Sequence, residues 1–144
     1  MAGETVQILL VEDDEIDAET VKRAFSRQKI ANPITVARDG VAALSRLRGE
    51  DGAPPFERPY LILLDLNMPR MNGTEFLEQL RADPSLCDSV VFVLTTSKSD
   101  RDITAAYERQ ISGYLVKSNI GHDFVNLVGM LEHFWRYVEF PRPR

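Results

Sequence analysis

Five short apolar runs punctuate the chain: residues 6–11 (VQILLV), 34–37 (ITVA), 61–64 (LILL), 90–94 (VVFVL) and 113–116 (GYLV). Runs of this length, rich in β-branched and aliphatic residues, suit strands. The third run stops on an acid, Asp65, and its unbroken apolar character fits a strand buried on both faces of a sheet. Helical spacing fills the intervals. Residues 16–27 place Ile16, Val21, Ala24 and Phe25 on one face, and residues 41–47 form a second helix. A third starts at Gly73 with Phe76, Leu77 and Leu80 inward, and Asp83-Pro84 ends it. Ser99 with Asp102 three residues later resembles a capping box that opens a helix to about Gln110. The last helix spans residues 123–138, with a stripe of Phe124, Leu127, Val128, Leu131, Phe134 and Val138. Residues 49–59 hold two Gly and three Pro and read as a surface loop without assigned chemistry.

Strict alternation of strand and helix implies a parallel sheet, helices on both faces and right-handed crossovers. One doubly wound α/β domain uses residues 1–144, with a short aromatic and Pro-rich extension at about 136–144. In the flavodoxin-like (βα)5 arrangement the strand order is 2-1-3-4-5, so the first and third strands are neighbours.

That order gives the strand ends a meaning. The first strand runs into Glu12 and Asp13, the third into Asp65, the fourth into Thr95 and the fifth into Lys117. Taken singly, each has a plain explanation as a helix cap, a turn residue or a solvated charge. Together they meet in the crevice where open α/β sheets bind ligands. Three adjacent carboxylates repel, so either one stays protonated or a cation neutralises them. All-oxygen donors favour a hard cation, Mg²⁺ or Mn²⁺. Metal, hydroxyl, ammonium and a nucleophilic carboxylate are the parts that phosphoryl transfer uses.

Composition removes several function classes. The net charge of −5, with no block of basic residues, speaks against nucleic-acid binding. One cysteine, Cys87, excludes an internal disulfide and fits a reducing compartment. The first residues, MAGETVQ, lack a basic stretch followed by an apolar one, and no apolar run approaches the ~20 residues of a membrane span. A cytoplasmic protein away from the membrane is the expectation.

The segments LLVEDD (9–14), LLDLNMPRMNG (63–73), VLTTS (93–97) and GYLVK (113–117), in that order and spacing, resemble the response-regulator receiver domains of two-component signalling. The likeness covers residues 6–135. It implies that Asp65 accepts a phosphoryl group from a sensor histidine kinase or a phosphotransfer protein. It implies that Glu12 and Asp13, with the backbone carbonyl of Asn67, hold Mg²⁺ (Mn²⁺ as the alternative), and that Asp65 joins them. It also implies that Thr95 is the switch hydroxyl, Lys117 the lysine that pairs with the phosphate, and Tyr114 the rotating aromatic. Such a domain supplies the chemistry of its own phosphorylation and turns over no external substrate. Three positions depart from the family pattern. Glu12 stands for the commoner Asp, a branched Thr96 follows Thr95 and narrows access to Asp65, and Ser118 replaces a Pro whose bond is commonly cis. A cis bond before Ser costs about 2.5–4 kcal/mol, which implies a trans bond and a shifted loop.

The resemblance extends to single-domain receivers, and the Phe134-Trp135 pair resembles those that partner phytochrome-type kinases. Trp135, Val125 and Phe140 fall off the apolar stripe of the last helix; they either fold back on the domain or meet a second copy. The family's habit of pairing through the fourth helix, fifth strand and fifth helix tilts the expectation to a homodimer. Competing functions fare worse. An aspartyl phosphatase or mutase needs an acid two residues after its nucleophile, where this chain has Asn67. A flavin or nucleotide binder needs a Gly/Ser/Thr-rich loop after the first strand, where this chain has acids. A receiver-like interaction module that is never phosphorylated leaves the acid, Thr and Lys set unexplained.

Overall fold

A computed structural model of the chain describes residues 5–50, 52–121 and 123–143. The ends of the expected domain (residues 1–4 and Arg144) lie outside the described residues, as do Asp51 in the Pro-rich loop and His122. Five strands form one parallel sheet: β1 (Gln7–Val11), β2 (Ile34–Ala37), β3 (Tyr60–Leu64), β4 (Val90–Thr95) and β5 (Gly113–Val116), in the order β2-β1-β3-β4-β5. Four helices connect them, α1 (Glu15–Arg27), α2 (Gly40–Arg48), α3 (Gly73–Ala82) and α4 (Asp100–Glu108), and α5 (Val125–Tyr137) follows the last strand. This is the flavodoxin-like arrangement expected from the alternation.

β3 is the spine. All five of its residues are buried, with Leu61 and Leu63 in one core cluster and Ile62 and Leu64 in the other. Side chains of a strand alternate between faces, so an all-apolar strand feeds two cores at once. Helices α2 and α3 cover one face, through Leu44, Leu47, Phe76, Leu77 and Leu80. Helices α1 and α5 cover the other, through Val21, Phe25, Leu127, Val128 and Leu131. Register sets β1 and β3 level, Val11 opposite Leu64, so the residues following them emerge side by side.

Several expectations need correction. Ile16 faces solvent, 78% exposed. The buried stripe of α1 is Ala18, Val21, Ala24 and Phe25, and Ile16 lies two residues from Ala18, which at 100° per residue is the opposite side. Asp102 does not complete a capping box. Ser99 caps α4 by accepting from the Asp102 N–H, but the Asp102 carboxylate turns to Ser97 Oγ. Val138 leaves the apolar stripe because α5 ends at Tyr137 and Val138 is already extended and exposed. The loop before β3 is not wholly on the surface: Phe56 is buried, edge-on to Tyr60 at 5.5 Å. The off-stripe aromatics fold back on the domain itself. Trp135 lies 6.1 Å from Phe25, and Phe140 packs edge-on against Phe134 at 5.8 Å.

Candidate functional site

The site is built at the carboxyl ends of β1, β3, β4 and β5. The end of β1 delivers Glu12 and Asp13, and Asp14 then caps α1 by accepting from the Ile16 and Asp17 N–H groups. The end of β3 delivers Asp65, whose backbone N–H is held by the Val11 carbonyl at 3.0 Å. One oxygen each from Glu12, Asp13 and Asp65 lies within 4.8 Å of the others. Glu12 and Asp65 are buried and Asp13 is exposed, so the cluster has a closed floor and an open side. Hard oxygen donors at this spacing suit a divalent cation such as Mg²⁺ or Mn²⁺.

Lys117 completes the floor. Its ammonium donates to Glu12 Oε2 at 2.7 Å and to Asp17 Oδ2 at 2.6 Å, and it lies 3.7 Å from Asp65 Oδ2. Burial alone lowers an ammonium's pKa, yet the bonds it donates to Asp17 and Glu12 outweigh it and Lys117 is raised. Glu12 is pushed up to about 7: burial is the chief cause, opposed by the hydrogen bond from Lys117 and reinforced by Asp65. Among the described residues the one cis peptide bond is Arg58–Pro59, so the Lys117–Ser118 bond is trans and leads into a short 3-10 turn, Lys117–Asn119. Lys117 nevertheless reaches the acids.

The loop after Asp65 is shaped by backbone contacts. The Asn67 N–H donates to Asp65 Oδ1 at 3.2 Å, and the Gly73 N–H donates to the Leu66 carbonyl at 2.9 Å. A Cβ at Gly73 would sit 2.6 Å from the Asp65 carbonyl oxygen, so a side chain there would force the loop off the acid. Arg70 holds the loop's far side with a bidentate grip on Asp39, at 2.7 and 3.1 Å. A cleft of about 470 Å³ opens over this loop, lined by Asp13, Leu66, Asn67, Met68, Pro69, Asn72, Thr74 and Asp102. Thr96 is exposed and is not among the residues lining this cleft.

Thr95 and Tyr114 sit apart from the acids' hydrogen bonds. Thr95 is fully buried, with its Oγ1 3.5 Å from the Ser97 N–H. Tyr114 is half-buried and donates its hydroxyl to the Ser97 carbonyl at 3.0 Å. Ser97 thus joins both to α4, through its bond to Asp102. The structure brings Glu12, Asp13, Asp65 and Lys117 together, keeps Asn67 beside Asp65, and gathers Thr95 and Tyr114 around Ser97. Ser97, Arg70, Asp39 and Asp17 escape a reading of the sequence. Only Asp17 leaves a trace there: an acid one helical turn beyond Asp13.

The response regulator receiver domain family matches the chain over residues 8–128. Response regulator Rcp1 of Synechocystis sp. is 38% identical over 128 residues, which span 89% of this chain and 87% of Rcp1. A crystal structure of the Mn²⁺-bound form of Rcp1 superposes with a TM-score of 0.81 at 35% identity, covering 95% of this chain and 99% of that one. The phosphorylated cyanobacterial phytochrome response regulator RcpA superposes with a TM-score of 0.82 at 30% identity, covering 96% and 100%. The chain belongs to the response regulator receiver domain family.

Proposed function

We propose that the chain is a phosphorylation switch of a two-component pathway, acting in the cytoplasm on the signal of a phytochrome-type histidine kinase. The observation that carries this reading is the convergence of Glu12, Asp13, Asp65 and Lys117 at neighbouring strand ends. Rcp1, a response regulator matched over 87% of its own length, supports the reading of the receiver as a signalling switch. RcpA is by name a phytochrome response regulator, which supports the kinase class. No helix among the described residues is long and apolar enough to cross a membrane.

In this reading Glu12, Asp13, Asp65 and the Asn67 carbonyl hold Mg²⁺, or Mn²⁺ in its place. The ion would supply the positive charge that neutralises these carboxylates and the incoming phosphoryl group. An Asp65 carboxylate oxygen attacks phosphorus; the new O–P bond replaces the N–P bond of a phosphohistidine, whose imidazole leaves. The phosphate adds a charge of about −2. Lys117 and the Thr95 hydroxyl draw toward it, and Tyr114 follows through Ser97. Movement of Ser97 reaches α4 through Asp102, reshaping the α4-β5-α5 face. In this reading the chain pairs with a second copy through that face and α5, as a homodimer; Tyr107 of α4 and Tyr137 of α5, both more than half exposed, support it.

Incubation with acetyl phosphate and Mg²⁺, followed by intact-mass measurement, tests the core of this. One phosphate adduct is expected on the wild type and none on Asp65→Asn. An unmodified wild type, or an equal adduct on the variant, removes the reading. Light scattering on the same samples is expected to give twice the chain mass after phosphorylation; a monomer in both states removes the dimer alone.

A further inference from the structure

The Lys117 ammonium has more anionic partners than the phosphorylation reading uses. Its shortest contact is neither Asp65 nor Glu12 but Asp17 Oδ2, at 2.6 Å. Asp17 stands outside the group of carboxylates that can share a cation. It sits in the first turn of α1, where its own N–H is fixed by the Asp14 cap, and its side chain is largely buried. Glu12 by contrast belongs both to the cation cluster and to Lys117. A cation at Glu12 and Asp65 therefore competes with the ammonium for the same carboxylates. Among the described residues, Asp17 is the one anionic partner of Lys117 that such a cation does not claim.

From this geometry, and resting on the proposed metal-dependent phosphorylation, we infer that Asp17 is a positioning residue. It anchors the Lys117 ammonium beside the site when a divalent cation takes Glu12 and Asp65. The lysine is then retained next to Asp65 and is not forced out into solvent. Without Asp17 the ammonium falls back on Glu12 and Asp65, and the cation must displace it with no anion left to receive it. Asp17 thus lowers the competition between the protein's own cation and the one it binds.

Melting temperature against Mg²⁺ concentration reports this through the stabilisation that binding confers. A charge-assisted hydrogen bond of ordinary strength corresponds to about tenfold in affinity. Asp17→Asn is expected to weaken Mg²⁺ binding about tenfold, and Asp17→Glu, which keeps the anion, to recover most of it. Glu19→Gln removes an exposed charge from the same helix without touching Lys117, and less than about twofold is expected. In a Lys117→Gln background, Asp17→Asn should do no more than Glu19→Gln, because the residue it acts through is gone. An equal loss for Asp17→Asn with and without Lys117, a loss no larger than that of Glu19→Gln, or no recovery in Asp17→Glu would overturn the inference and leave the phosphorylation reading standing. A wild type whose melting ignores Mg²⁺ would overturn both.

Discussion

Two cations are embedded at opposite ends of the sheet, and they are held in opposite ways. At the carboxyl ends, Lys117 is surrounded by carboxylates: Glu12, Asp17 and, further off, Asp65. At the amino ends, Arg81 of α3 donates to four backbone carbonyls, those of Arg109, Cys87, Ser89 and Gln110, at 2.8 to 2.9 Å. Burial disfavours both charges. It prevails at Arg81, whose pKa is lowered, and it is overcome at Lys117, whose pKa is raised by hydrogen bonds to anions. Carbonyl dipoles are fixed in the chain and carry no net charge, so they draw a competing cation far less than carboxylates do. Carboxylates are mobile charges that a metal or a phosphate can claim or replace. The Arg81 end is therefore a staple joining α3 to the loops before β4 and β5, whereas the Lys117 end can be rearranged.

The largest effect that could break this contrast is on stability. Arg81→Met removes every donor of the guanidinium and leaves four carbonyls to find water or go unpaired. A loss of about 2–4 kcal/mol is expected in urea unfolding, with the protein that remains folded still labelled by acetyl phosphate. Lys117→Met, measured with Mg²⁺ present to neutralise the acids, should cost less than half as much. Equal losses from the two substitutions would show that Lys117 is as structural as Arg81.

The two ends also differed in how far the sequence exposed them. The strands were legible because an apolar run buried on both sides has no other periodicity to hide in. Glu12, Asp13, Asp65, Thr95 and Lys117 were legible because each terminates such a run, so the strand order alone brings them to one edge. Arg81 was not, since a cation in the last turn of a helix is ordinary and its four partners are backbone atoms without a side-chain signature. Asp17 was hidden for a related reason: its partner lies 100 residues away and is defined only by the fold. Phe56 looked like part of a Pro-rich surface loop, because burial of one side chain depends on where Leu47 and Tyr60 lie. The tail followed the same rule, since helical spacing locates its stripe but not the turn at Val138 that returns Phe140 to Phe134.

Acidity gives a second, smaller test of the same contrast. The folded-state pKa of Glu12 is raised to about 7, first by burial. A raised carboxyl pKa means that the folded chain holds the proton more tightly than the unfolded chain does. Its stabilising contribution is complete below the unfolded value, near 4.5, and is lost as pH rises through about 7. The metal-free protein should therefore lose stability between those limits, and Glu12→Gln should flatten that part of the profile. Mg²⁺ must displace the same proton, so its affinity should rise about tenfold from pH 6 to pH 8 in the wild type and far less in Glu12→Gln. Melting curves at each pH, with and without Mg²⁺, read both. A wild-type affinity that is flat over this range would mean that Glu12 is not part of the exchangeable set.

The smallest effects come from a pair of tyrosines, one at each end. Tyr60 OH lies 2.6 Å from Ser89 Oγ, whose own proton goes to the Leu86 carbonyl at 2.7 Å, so Tyr60 is the donor. All of these groups are buried, and water does not readily replace a lost partner there. Tyr60→Phe should cost about 1 kcal/mol and leave the edge-on packing with Phe56 in place. Tyr114 OH donates to a partly exposed carbonyl, that of Ser97, which water can satisfy. Tyr114→Phe should therefore cost only about 0.5 kcal/mol, the lower end for such a bond. What distinguishes it is the coupling to phosphorylation: amide exchange at the start of α4 should respond to acetyl phosphate in the wild type and less in Tyr114→Phe. In Tyr60→Phe that response should be unchanged, because its hydroxyl belongs to the end of the sheet that does not rearrange.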